Sequence, residues 1–523
     1  MFSLKSTRRL RCAPLVGRWR SYLKEPLTEP VGALKDVQWS AKTSNVPRQY
    51  PTHISTLGNG LRVASQNAYG QFCTIGVFID AGSRNELPHK PGITHLLSRV
   101  AIEKTEQFSD REKILEELEK YGGMIDCQTF RDTIAYGLSA LSYSLPEVIQ
   151  ILAQAVYRPQ FTEEQINMEL QSVLFETEDA ISRPDPEPIL TEMIHQAAYR
   201  DNTFGLPRML IDYCADDADI TKGTGYEQIT PGDIKQFIAS HYTPDRMMLA
   251  GVGVDHEQFV ELAEKYFVNP KTSWDSSDMI PVDGSISQYT GGHCKIKRLG
   301  PPVVGPNPMP ELTHVVVAME STSHQNLEDF FPVAVLNSLM GGGSSFSPGG
   351  PGKGMYTQLY TTVLNQHHWA YSAIARNHSY FDTGLFAIYG SSHPSHSRNL
   401  VEVLCQQFHH MASWHHPDDI SRAKKQLESA LMMNMESRVI NFEDLGRQVL
   451  ATGSRLTVEE LCSRIDAVTA EDVQRVASAM LKGKPSLAVL GDLSQIPSMK
   501  EIEAAMTPAN KGRLPRSRLL FPR

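Results

Sequence analysis

Gly92-Ile93-Thr94-His95-Leu96-Leu97-Ser98-Arg99 has the spacing of a helical metal site without its donors. An inverted zinc motif, H-x-x-E-H, sets two imidazoles at i and i+4 on one helical face, with a carboxylate beside them as general base. His95 stands at the first ligand position. Ser98 replaces the base, and a hydroxyl does not take a proton from water near neutral pH. Arg99 replaces the second imidazole; it is always charged, has no lone pair and repels a dication. Glu169 and Glu176 lie seven residues apart on one face of a predicted helix, Thr162 to Ala180, where a distal carboxylate ligand could sit. Taken alone, the two glutamates read as a solvated helix face.

Other candidates carry less. The pairs His367-His368, His409-His410 and His415-His416 are adjacent, and neighbours on a helix do not face each other. The acidic clusters Asp216-Asp217 with Asp219, and Glu176-Thr177-Glu178-Asp179, read as solvated faces. Seven scattered cysteines without a C-x-x-C pair argue against a disulfide scaffold and a thiolate zinc site.

A second stretch stands out: Gly341, Gly342, Gly343, Ser344, Ser345, Phe346, Ser347, Pro348, Gly349, Gly350, Pro351, Gly352, Lys353 and Gly354. Predicted helices flank it, Phe331 to Met340 and Met355 to Leu364. Ser347 stands where G-x-x-x-x-G-K-[ST] needs its first glycine, and Gly354 where it needs a hydroxyl, so a phosphate loop is excluded. A glycine-rich run inside one domain has nothing to link, and reads as a functional loop with Phe346 as its one bulky apolar group.

The strands and helices around these residues come in two similar series. Predicted strands at Leu61 to Ala64 and Cys73 to Ile79 precede the His95 helix. A helix follows at Ser109 to Tyr121, with Ser109 as cap, and then a strand pair, Met124 to Thr129 and Thr133 to Ala140. The second half repeats this with Thr313 to Met319 and the pair Trp369 to Ala375 and Thr383 to Tyr389. Arg131-Asp132-Thr133 matches Phe381-Asp382-Thr383, and Met247 to Gly253 matches Leu487 to Asp492. The reading is α+β: two homologous domains from an internal duplication, each a largely antiparallel sheet packed with helices. They span 51–268 and 308–510, with a linker at 269–307, an extended arm at 25–50 and a basic tail at 511–523.

The chain of 523 residues, 41% hydrophobic and 21% charged, has ample core and no apolar run near the ~20 residues that span a bilayer. Met1 to Lys24 is rich in Arg and Ser and free of acid, the pattern of a mitochondrial transit peptide. Removing Met1 to Tyr22 takes away six positive charges and moves the formal charge from −9 to −15. Such an acidic chain disfavours nucleic acid and favours basic ligands.

The chain resembles the alpha-subunit family of mitochondrial processing peptidases, a branch of the pitrilysin/insulinase-type zinc peptidases. Matching stretches include Asn59 to Asn67, Arg183 to Pro188, Tyr242 to Met247, Tyr289 to Gly292, Gly446 to Thr452 and, most specifically, Gly341 to Gly354. The resemblance implies a catalytically degenerate member, with His95, Ser98, Arg99, Glu169 and Glu176 as remnants of a zinc site. It implies no cofactor in this chain and zinc in a partner beta subunit. The pair would work in the mitochondrial matrix, in association with the inner membrane or free of it, and cut the basic amphipathic presequences of imported precursors. Substrate recognition would fall to the glycine-rich stretch: Gly341, Gly342, Gly343, Ser344, Ser345, Phe346, Ser347, Gly349, Gly350, Gly352, Lys353 and Gly354. A structural core subunit of respiratory complex III is the alternative the resemblance leaves open.

Overall fold

A computed structural model describes residues 50–68, 70–183, 186–200, 202–208, 213, 229–275, 279–298, 310–345, 354–413 and 415–515. The leader, nearly all of the 25–50 arm, the Asp216 cluster and Phe346 to Lys353 lie outside the described residues.

Two six-stranded sheets carry the chain. The first contains β1 (Thr52–Thr56), β2 (Arg62–Gln66), β3 (Phe72–Ile79), β4 (Met124–Thr129), β5 (Ile134–Leu141) and β6 (Met247–Val252), in the order β1-β2-β6-β3-β5-β4. The second contains β7 (Gly292–Lys297), β8 (Thr313–Ser321), β9 (Gly342–Ser344), β10 (Ala370–Ser379), β11 (Gly384–Ser392) and β12 (Ser486–Gly491), in the order β7-β12-β8-β11-β10-β9. With β1 set aside from one and β9 from the other, the two orders follow the same path. The pairs are antiparallel except β2 with β6 and β7 with β12, which occupy the same place in the two paths. This is the α+β duplication expected from the sequence. Strand β7 lies within the stretch read as a linker, and strand β1 had no counterpart among the sequence-predicted strands.

The first half adds helices α1 (Ile93–Val100), α2 (Arg111–Glu119), α3 (Leu145–Tyr157), α4 (Glu163–Ser182), α5 (Glu187–Ala198), α6 (Pro231–His241) and α7 (His256–Phe267). The second adds α8 (Leu327–Met340), α9 (Ser397–Met411), α10 (Pro417–Glu436), α11 (Arg438–Thr452), α12 (Val458–Ala467), α13 (Ala470–Met480) and α14 (Met499–Ala505). Helix α2 starts one residue later than expected. Asp110, not Ser109, caps it by accepting from the Lys113 amide at 3.0 Å, since a carboxylate is the stronger acceptor for that orphan donor. No described helix is long and apolar enough to cross a membrane.

The central strands are apolar on both faces because both faces are covered. Side chains alternate along a strand. In β8, Val315, Val317 and Met319 join the core under α8 and α9, while Val316 and Ala318 point the other way. The cover on that second face comes from the first half: Ile189, Leu190, Met193, Ile194 and Ala197 of α5 pack on β7, β8 and β12. The reciprocal holds on the first sheet, where Phe442, Leu445 and Val449 of α11 pack on Ala64, Phe78, Met248, Ala250 and Val252. Each half therefore lends one helix to the other's sheet.

Close approach makes the exchange possible. A Cβ on Gly446 of α11 would lie 2.0 Å from a ring carbon of Phe78, and one on Gly76 of β3 would lie 2.5 Å from the ring of Phe442. The two rings sit 5.0 Å apart by centroid. The Arg62 guanidinium donates to the Val449 carbonyl at 2.8 Å, beside the Gly453 amide that the same carbonyl accepts, and to the Leu450 carbonyl at 3.4 Å near the end of α11. Substituting Gly446→Ala should overpack this contact and cost about 2 kcal/mol. Gly58→Ala, where nothing lies within 4 Å of the new Cβ, should change stability by less than about 0.5 kcal/mol. Urea unfolding of the two variants beside the wild type measures both.

Candidate functional site

Helix α1 is held at its start by a carboxylate from outside it. Gly92, at φ +81°, opens the helix and has no side chain to cap it. Glu86 accepts instead, from the Gly92 amide at 2.6 Å, the Thr94 amide at 2.9 Å and the Thr94 hydroxyl. Glu86 is fully buried, and burial pushes its carboxyl up to about 7 despite those three donors. Ile93, Leu96, Leu97 and Val100 anchor α1 in the first core. His95, Ser98 and Arg99 are left on the half-buried face.

That face opens on a cavity of about 380 Å³, lined by His95, Ser98, Arg99, Glu169 of α4, Arg208 and the β4 edge strand from Ile125 to Thr129. The structure thus brings together all five residues singled out in the sequence, four at the cavity and Glu176 through its partner. Ser98 donates its hydroxyl to the His95 carbonyl at 2.7 Å. Arg99 forms an ion pair with Glu176. Both side chains are more than a third exposed, so the pair adds little stability. Its effect is positional: a guanidinium is bonded to the carboxylate that a distal ligand would supply. His95 is pushed down to about 4, first by burial and then by Arg99 and Arg208, so it is neutral at pH 7. The Glu169 carboxyl is raised, first by burial and next by Glu103.

One neutral imidazole, a hydroxyl engaged with the backbone, a guanidinium, a carboxylate bound to it and the one further carboxylate of Glu169 do not make a zinc donor set. Among the described residues no group of three or more His, Cys, Asp or Glu side chains is placed to hold a metal ion.

Sequence reading missed the buried charge cluster behind this face. Arg131 pairs with Glu192 of α5 at 2.7 Å, both at most 5% exposed. Arg208 reaches the other oxygen of the same carboxylate at 3.2 Å. The Arg131 guanidinium also donates to the Phe204 carbonyl at 3.0 Å. The available signal was the repeat itself: Arg131 stands where the second half has Phe381.

The glycine-rich stretch belongs to the other half. Its first residues are not a free loop: Gly342, Gly343 and Ser344 form β9 and pair antiparallel with Ile374, Ala373 and Ser372 of β10. The helix expected from Met355 begins only at Gln358 and closes as a π-helical turn, Tyr360–Leu364. The histidine pairs do structural work where they are described. His416 caps α10 by accepting from the Asp418 amide, and His415 contacts the Met411 carbonyl at 2.9 Å.

Four imidazoles, His241 and His314 buried and His95 and His378 half-buried, resist protonation in the fold. Burial pushes His95, His241, His314 and His378 each from 6.5 down to about 4. The unfolded chain therefore takes up more protons between those values, so their contribution is intact above pH 6.5 and is lost as pH falls towards 4. Urea midpoints measured at pH 7, 6, 5 and 4.5 should fall steadily. His95→Asn should make that decline shallower without abolishing it.

Comparison with known proteins agrees with this architecture. Residues 62–210 match the family model of insulinase, peptidase family M16, and residues 228–427 match that of the peptidase M16 inactive domain. The chain is 47% identical to mitochondrial-processing peptidase subunit alpha of Homo sapiens, over 96% of this chain and 93% of that protein. It is 46% identical to the same subunit of Bos taurus over 99% of both chains, and 35% identical to that of Caenorhabditis elegans over 92% and 93%. A two-sheet duplication with one altered helical metal motif, matched over nearly its whole length at this identity, places the chain in the M16 peptidase family, among the alpha subunits of mitochondrial-processing peptidase.

Proposed function

We propose that this chain is the non-catalytic, substrate-recognition subunit of a heterodimeric zinc endopeptidase of the mitochondrial matrix. A beta subunit holds the zinc and cuts. This chain binds the basic, amphipathic presequences of imported precursors. The observation that carries the reading is the Arg99–Glu176 ion pair. It sets a permanent cation where a metal ligand is needed and occupies the remaining carboxylate, so hydrolysis must be supplied by another chain. The acid excess left after loss of the leader supports a basic substrate through long-range attraction. The leader's composition supports import into mitochondria.

The glycine-rich stretch from Gly341 to Gly354 is the proposed recognition element. Lys353 would repel a basic peptide, so recognition falls to the glycine backbone and Phe346.

Two measurements test this. Metal analysis of the purified chain should find no stoichiometric zinc; one tight zinc per chain, lost in His95→Ala, would contradict the reading. Deleting Phe346 to Gly350 leaves β9 intact, so the variant should still form the dimer, as read by gel filtration. Its affinity for a fluorescent presequence peptide and its turnover should each fall at least tenfold, together a loss of about 2.8 kcal/mol or more in transition-state stabilisation. Unchanged binding and turnover in an intact dimer would falsify the role of the stretch.

A further inference from the structure

The described residues at the two ends of the glycine-rich stretch are tied to one short helical turn. The Thr357 hydroxyl accepts from the Gly342 amide at 3.1 Å and donates to the Gly354 carbonyl at 2.7 Å. A single buried side chain, 7% exposed, thereby joins the residue that starts β9 to the last residue of the stretch. Three residues on, the Tyr360 phenol donates to the Ser344 carbonyl at 2.7 Å. Backbone bonds complete the seating: the Ala375 amide donates to the Gly341 carbonyl at 2.9 Å and the Ser345 amide to the Tyr371 carbonyl at 2.8 Å.

The glycines at this place are required by space. Gly341 and Gly342 hold φ of +53° and +99°. A Cβ on Gly342 would lie 2.0 Å from the Ala373 carbonyl oxygen, and one on Gly341 would lie 2.4 Å from the Thr357 methyl. A Cβ on Gly343 would lie 3.2 Å from the Tyr360 ring. The threonine methyl and the tyrosine ring thus fill the room that the absent side chains leave, while their hydroxyls bond the backbone.

We propose that Thr357 and Tyr360 are positioning residues for substrate recognition: their hydroxyls fix where the chain enters and leaves the glycine-rich stretch. This rests on the recognition role proposed above for that stretch. Substituting Thr357→Val keeps the packing against Gly341 and removes both side-chain bonds, which takes this acceptor from the Gly342 N–H and leaves the Gly354 C=O with the Thr357 amide at 3.1 Å. Tyr360→Phe removes only the bond to Ser344.

The test uses the assembled heterodimer and a fluorescent presequence peptide. Thr357→Val should raise KM about tenfold, the scale of one or two hydrogen bonds lost from a buried pair, with kcat within about twofold. Thr357→Ser, which retains the hydroxyl, should restore KM to within about twofold of wild type. Tyr360→Phe should give a smaller rise in the same direction. Hydrogen exchange at the Gly342 and Gly343 amides should quicken in Thr357→Val while that of β3 and β5 in the first sheet stays unchanged. Unchanged KM in both Thr357→Val and Tyr360→Phe, in a dimer whose turnover does fall when Phe346 to Gly350 is deleted, would overturn the positioning role and leave the recognition role standing. If that deletion has no effect either, both readings fall together. A fall in kcat as large as the rise in KM in Thr357→Val, without rescue by serine, would reduce Thr357 to a packing residue and overturn the proposal.

Discussion

The structure depends on a reciprocal exchange of two helices. Each sheet buries one face under helices of its own half and the other under a helix lent by its partner half, α5 in one direction and α11 in the other. Neither half has a complete core alone. The strands reflect this, since β6 and β12 are buried along their whole length. The lent helix approaches closely because the sheet and helix offer small residues there: Gly76 of β3, Ala250 of β6 and Gly446 of α11 on one side, Ala318 of β8 and Ala488 of β12 on the other. Polar contacts then fix the register of the exchange. Arg84 donates to Asp382 through its two terminal guanidinium nitrogens, at 3.0 and 2.8 Å, across the halves. The Tyr380 phenol meets His195 of α5 at 2.7 Å.

The same exchange builds the support behind the His95 cavity. Glu192 lies on the lent helix α5 and holds both Arg131 and Arg208. Arg208 in turn lines the cavity and helps keep His95 neutral. The Arg99 cation would repel a dication and pairs with Glu176, so the His95 face carries a balanced set of charges. The cavity keeps its shape because α1 is anchored by its apolar face and by Glu86, neither of which requires a metal.

Glycine plays two distinct parts in the stretch that follows α8. Gly341, Gly342 and Gly343 are glycines because carbonyl, methyl and ring groups occupy the space a Cβ would need. They extend the second sheet by one short strand at the edge beside β10. Among the described residues the first sheet has no strand at the matching edge of β4, which instead borders the His95 cavity. The duplication therefore keeps one sheet path in both halves and finishes the same edge in two ways.

Fold class, duplication, the alternation of strands and helices, and the chemistry missing from the His95 helix were all legible in residue type and spacing. These are local properties: residue type decides whether a side chain can ligate or act as a base, and periodicity decides helix or strand. His95, Ser98, Arg99, Glu169 and Glu176 were legible for that reason. The apolar runs of β6 and β12 were legible as strands, but not which half covers their second face, because an apolar run records burial and not the identity of its cover. The three-residue strand β9 was hidden in a run that composition reads as flexible, since a glycine needed for close approach and one needed for freedom look alike in a sequence. Thr357, Tyr360, Glu192 and Arg208 carried no local signal at all. Their partners lie distant in the chain or across a turn, and hydrogen bonds and ion pairs are made by proximity in space, which only the tertiary structure supplies.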